Sequence, residues 1–171
     1  MPLHKRSRLA LLFSALAALS ACSTTGEEAA PQLAAAPAQI EGTEARFCPQ
    51  VTLREGTSIL RRGEGDAQQF VASIAETTRS CRVVNGELLM EVGVSGRLVP
   101  GMAARGGSVE LPVRVAVSRG ADVLYSNLGR VSVSTAPGPA QTFVYVDRAV
   151  RIPEPTSRGV SIFIGFDDQA R

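Results

Sequence analysis

In the second half of the chain, hydrophobic and polar positions alternate with a period of two. Leu88, Met90, Val92 and Val94 are spaced by Glu87, Leu89, Glu91, Gly93 and Ser95, and Val109, Leu111, Val113, Val115 and Val117 by Ser108, Glu110, Pro112, Arg114, Ala116 and Ser118. A period of two sends successive side chains to opposite faces, so each run predicts a strand with one buried face. Asn85-Gly86 stands just ahead of the first run. Both central residues of a type I′ turn need positive φ, which this pair tolerates, so a tight hairpin is expected there. Residues 69–84 would complete it. Phe70, Ile74 and Thr78 fit a helical stripe, but Val71, Ile74, Thr77, Thr78, Val83 and Val84 make the segment rich in β-branched residues, which favours a strand.

The rest of the second half reads similarly. Residues 123–134 predict a strand that bends or changes sheet near Asn127 and Gly129. Pro137-Gly138-Pro139 ends it, residues 143–150 predict another, and Pro153-Glu154-Pro155 turns the chain into Val160, Ile162, Ile164 and Phe166. Nearer the start, Val51 and Leu53 open a strand that continues through Ile59 and Leu60. Pro112 has no N–H for a ladder, which predicts that its strand lies at a sheet edge or carries a bulge. About seven strands separated by turn signals make an all-β chain, and an antiparallel β-sandwich resembling the immunoglobulin or fibronectin III architecture is expected. The absence of tryptophan keeps that likeness to the architecture alone.

The first 47 residues follow different rules. His4, Lys5, Arg6 and Arg8 precede an unbroken apolar and small run over residues 9–19. That is the pattern of a secretion signal, and the run is shorter than the roughly 20 residues a spanning helix needs. Residues 22–47 are rich in Ala, Pro, Glu, Gln, Thr and Gly, with Pro31 and Pro37, and predict a flexible linker reaching on the order of 25 to 30 Å. The organisation expected is therefore a signal peptide over residues 1–21, a linker over 22–47 and one β-sandwich domain over 48–171.

Charge changes little once the leader is set aside. It holds three of the 18 Lys and Arg and none of the 16 Asp and Glu, which leaves 15 against 16 and a net charge of −1. That balance gives no support to nucleic-acid binding. Cys48 and Cys81 lie on either side of Gly63-Glu64-Gly65-Asp66, so a hairpin folded at that turn brings them together, and an even pair in an oxidising compartment reads as a disulfide. Two free thiols for redox or metal work form the rival reading, without a CxxC spacing or a nearby histidine.

The only histidine and the only lysine are His4 and Lys5, both in the leader. Chemistry built on an imidazole base, a Ser-Lys dyad, a Schiff base or a histidine-ligated zinc is thus absent from the mature chain. Asp147, Glu154, Asp167 and Asp168 are the candidate carboxylates for glycan cleavage, though their spacing does not show convergence. Asp167-Asp168 lacks a calcium-loop signature, and Arg105-Gly106-Gly107 lacks a phosphate-loop pattern. Arg54, Arg61, Arg62 and Arg79 offer contacts to an anionic glycan or lipid, or else solvated partners for neighbouring glutamates. No catalytic residue, metal or cofactor is expected.

Leu19-Ser20-Ala21-Cys22 resembles the lipobox of bacterial lipoproteins. The resemblance implies cleavage between Ala21 and Cys22, a diacylglyceryl group on the Cys22 sulfur and a further acyl chain on its freed amine. Two or more chains anchor stably where one binds marginally. An ordinary signal peptide, with Cys22 a plain thiol, is the alternative. Ser23 in place of an aspartate favours the outer membrane, by analogy. With the tether and the opening Cys48-Pro49-Gln50-Val51-Thr52-Leu53-Arg54-Glu55-Gly56-Thr57, the chain resembles small uncharacterised lipoproteins of alphaproteobacteria. The expectation is a membrane-tethered, non-enzymatic, periplasm-facing module that holds an envelope protein partner through an edge strand, the Pro112 strand or the last one. A glycan-binding or glycan-cleaving module and a purely structural lipoprotein are the alternatives.

Overall fold

The alternating runs become strands in a computed structural model that describes residues 41–169. The signal peptide, residues 22–40 and both residues of the expected cleavage site, Ala21 and Cys22, lie outside the described residues. The strands are β1 (Thr43–Glu44), β2 (Gln50–Leu53), β3 (Ile59–Arg62), β4 (Phe70–Val84), β5 (Glu87–Pro100), β6 (Ser108–Arg119), β7 (Asp122–Ser134), β8 (Gln141–Pro153) and β9 (Val160–Phe166). They form two sheets. The first runs β1-β4-β5-β8 with β3 also on β4, and the second runs β2-β9-β6-β7. The result is an all-β sandwich, antiparallel except where β2 pairs in parallel with β9.

The expected inward positions are the core. Leu88, Met90, Val92 and Val94 from β5 face Val113, Val115 and Val117 from β6, all 0 to 1% exposed. Phe143 of the first sheet meets Phe166 of the second with ring centroids 6.0 Å apart, within the range of a favourable aromatic pair. Asn85 and Gly86 adopt φ of 52° and 79°, and β4 and β5 pair from Val84 opposite Glu87 to Phe70 opposite Pro100. Residues 70–84 are therefore strand, as their β-branched content predicts, and the helical stripe is not used.

Four expectations change. The sheet begins before Cys48, because Thr43 and Glu44 pair with Val83 and Arg82 and Ala45 packs on the core, so the end of the expected linker belongs to the body. A stretch so short and polar carries no period that composition can register.

The strand expected from Val51 to Leu60 is two strands in opposite sheets. The chain crosses between them over residues 54–58, where Gly56 takes φ of 73° and the Thr57 N–H and hydroxyl both donate to the Arg54 carbonyl, at 3.1 and 2.7 Å. The crossing loop rests on β9, since the Phe166 N–H donates to the Thr57 carbonyl at 2.8 Å.

The Pro112 strand and the last strand are interior, not edges: β6 lies between β7 and β9, and β9 between β2 and β6. Pro112 is tolerated because pairing with β9 starts only at Val113 opposite Phe166. Its carbonyl accepts from the Asp167 N–H at 3.0 Å. A strand residue's N–H and C=O point to the same side, so its donor-less nitrogen faces the place where β9 has ended.

Finally, β7 runs unbroken through Asn127 and Gly129, opposite Val115 and Val113. Gly129 is required there, because a Cβ would lie 2.1 Å from the Tyr145 ring carbon Cζ.

Candidate functional site

A sandwich has two long sides where its sheets meet, and the chemistry-bearing residues of this one gather at both. On one side, β7 of the second sheet lies against β8 of the first. Asp147 pairs with Val92, a core residue, so its carboxylate points between the sheets and is only 3% exposed. Tyr125 and Asn127 project from the inner face of β7, opposite Val117 and Val115. One Asp147 oxygen accepts from the Tyr125 hydroxyl and the Asn127 amide, each at 3.0 Å, and the other from the Ala149 N–H at 2.9 Å.

The electrostatics follow from that geometry. Burial pushes the Tyr125 phenol well above its ordinary range, and its hydrogen bond to Asp147 and the nearby negative charge push it further. Burial and the Asp147 charge raise Tyr145 in the same direction. Both tyrosines are thus held protonated, Tyr125 as a donor to Asp147 and Tyr145 through burial and the Asp147 charge. Among the described residues no buried side-chain nitrogen or oxygen is without a hydrogen-bond partner. A saturated cluster of this kind fastens β7 to β8; it presents no free base. Its signal in the sequence is weak but present: Tyr125, Asn127, Tyr145 and Asp147 are polar or amphipathic residues at inward positions of alternating strands.

The other candidate carboxylates do not join Asp147. Glu154 follows β8 and its N–H donates to the Gly86 carbonyl at the β4–β5 turn. Asp167 is ion-paired with Arg114 beside the end of β9, and Asp168 is exposed. The only adjacent pair, Asp167 and Asp168, has one member already committed to a guanidinium. Among the described residues no group of acidic, histidine or cysteine side chains is placed to hold a metal.

On the second long side, Cys48 and Cys81 form the expected disulfide, with Cα atoms 5.7 Å apart. The route differs from a simple hairpin. Cys48 lies where the chain leaves β1 of the first sheet for β2 of the second, and Cys81 lies on β4, so the bond ties the crossing segment to the first sheet. A recess of about 470 Å³ opens beside it, bordered by Glu44, Arg79 and Arg82. A second groove, of about 680 Å³, lies over the outer face of the second sheet. Phe163 and Val123 stand exposed along it at 36 and 67%, and Arg54, Arg114 and Asp168 are among the residues that line it. Of the sequence-predicted arginines, Arg54 lines this groove, Arg79 the recess, and Arg61 and Arg62 sit on β3. Among the described residues, no helix is long and apolar enough to cross a membrane.

No protein-family profile, curated protein or solved structure matches this chain.

Proposed function

We propose that the chain is a lipid-anchored lipoprotein of the bacterial cell envelope, whose β body faces the periplasm and acts without catalysis by holding another envelope component. The observation that carries this reading is the allocation of its three cysteines. Cys48 and Cys81 are bonded to each other, as in an oxidising compartment, so Cys22 is the cysteine left for acylation. It follows Leu19-Ser20-Ala21 at the end of an apolar run with a basic start. The saturated Asp147 cluster and the scattered carboxylates favour binding over bond cleavage, and the outer membrane is favoured by the Ser23 analogy.

Replacing the anchor tests it. Cells fed a labelled fatty acid should label the unsubstituted protein and leave Cys22→Ser unlabelled, with the β body still folded and oxidised. Labelling of Cys22→Ser, or an unlabelled unsubstituted protein, would contradict the reading. A partner should be captured by a photo-crosslinker in intact cells, since amine reagents have no lysine to use after Lys5.

Glycan binding is the second reading, and the groove on the second sheet favours it. An exposed aromatic, Phe163, with Arg54 and Asp168 near it, is the arrangement that stacks on a sugar and hydrogen-bonds its rim. Loss of cell-wall polymer binding on Phe163→Ala supports it; silence of the unsubstituted protein across a glycan panel removes it.

A further inference from the structure

The sandwich is fastened on one long side and partly open on the other. At β7 and β8 the Asp147 cluster joins the sheets. On the opposite side, among the described residues, β4 is covered in two short pieces only. Ile59 to Arg62 of β3 pair with Ser73 to Phe70, with one further bond from the Ile74 N–H to the Ser58 carbonyl at 2.9 Å. Thr43 and Glu44 of β1 pair with Val83 and Arg82, and the disulfide holds Cys48 against Cys81. Between these pieces, Glu76 to Ser80 of β4 pair with β5 alone, Ala75 is passed over at a bulge, and residues 75–80 have no strand on their other side among the described residues. Five of the six are exposed and Thr77 is half-buried. The recess beside the disulfide lies at one end of this opening.

We infer that residues 75–80 of β4 are a docking slot for a short extended peptide segment of a partner protein that adds itself as a strand and carries an acidic side chain. The inference names the surface and partner chemistry of the binding function proposed above and rests on it.

Three observations select this occupant. A row of unpaired N–H and C=O groups is satisfied best by another main chain in extended form. The slot spans roughly 20 Å at about 3.4 Å per residue and is closed at both ends by β1 and β3, so it takes one free-standing strand. A second copy of this chain does not fit through its own β4, which carries β1 and β3 on the same edge and would drive them into their counterparts.

Charge supplies the third. Arg79 pairs with the core residue Val92, so its side chain lies on the inner face at the slot. Neither Arg79 nor Arg82 makes an ion pair among the described residues; Glu44 borders the recess with them, and Glu76 lies within the slot. A planar guanidinium is suited to a carboxylate arriving along the strand.

The mature full-length protein, purified from membranes, tests this by hydrogen–deuterium exchange. The probe is an acetylated and amidated heptapeptide alternating threonine and glutamate, with two controls: the same peptide N-methylated at alternate residues, and a threonine–lysine version. The glutamate peptide should slow exchange of residues 75–80 saturably, by about tenfold or more, and both controls should fail. Arg79→Glu should weaken the effect about tenfold. No slowing at millimolar glutamate peptide would overturn the inference, as would equal protection by the lysine peptide or protection confined to β7 or β8. Protection of residues 75–80 before any peptide is added would overturn it as well, because the segment ahead of Glu41 would then already fill the slot. Fatty-acid labelling at Cys22 is read separately, so failure of the anchor and failure of the slot are distinguishable.

Discussion

Tyr125 and Asp147 meet across the two sheets, the phenol donating at 3.0 Å to a carboxylate oxygen that also accepts from Asn127. The contact joins the edge of one sheet to the edge of the other at a place where no backbone ladder does so. A carboxylate is costly to bury unless its lone pairs are taken, and here three donors take them. Asp147→Asn keeps the shape, removes the charge and turns one acceptor into a donor facing Asn127 or the Ala149 N–H. It should cost about 1 to 3 kcal/mol of folding stability, read as a lower midpoint in urea with an unchanged slope. A midpoint equal to that of the unsubstituted protein would contradict the role given to this carboxylate.

The two tyrosines of the chain are Tyr125 and Tyr145, and each is raised by burial and by Asp147. The folded protein therefore holds phenolic protons that the unfolded chain releases near pH 10. The stability this contributes is fully present below about pH 10 and is lost as pH rises through the higher folded values. With no tryptophan in the sequence, the phenolate absorbance band follows these two residues directly. It should rise at higher pH in the native protein than in urea. Coincident curves would contradict the buried cluster.

Gly129 tests the same junction by shape. A methyl group there would overlap the Tyr145 ring, with Cζ at 2.1 Å from the ideal Cβ. Gly129→Ala should cost about 1 to 3 kcal/mol through overpacking and bring the tyrosine titration closer to that of the unfolded chain. Gly106, where a Cβ meets nothing within 4 Å, is the matching position: Gly106→Ala should leave both readouts in place.

Much of this fold is legible in the residues, and the limits have physical causes. Period-two patterns mark β5, β6 and β9 because each has one face in the core, and Asn85-Gly86 marks its hairpin because few other pairs accept two positive φ values. The sheet to which a strand belongs is a different matter. Val51 and Leu60 are both apolar and point into the same core, yet they come from opposite sheets; only the crossing at Gly56 separates them, and the order of strands is fixed by pairing between distant segments. Pro112 misleads for a related reason, since a proline in an interior strand is tolerated when the neighbouring strand stops one residue short. The Asp147 cluster is hidden because its members are spread over residues 125–147 and converge only when β7 and β8 are packed.

The disulfide holds the crossing segment and β2 to the first sheet. Its cysteines are 33 positions apart, a loop for which the chain-entropy treatment gives about 3 to 4 kcal/mol. The double variant Cys48→Ser, Cys81→Ser should lose about that much in urea unfolding, with exchange rising first in β2, whose four residues pair only with β9. Unchanged stability, or free alkylation of both thiols in the native protein, would contradict the assignment.

The anchor at Cys22 is the claim on which the proposed function depends, and the mass of the N-terminal tryptic peptide tests it most directly. Trypsin finds no lysine or arginine between Cys22 and Arg46, so the membrane-extracted protein should yield one peptide spanning residues 22–46. This peptide should begin at Cys22 and be heavier by a thioether-linked diacylglyceryl group and an amide-linked acyl chain. An unmodified Cys22 thiol, or an N-terminus at any other residue, would contradict it.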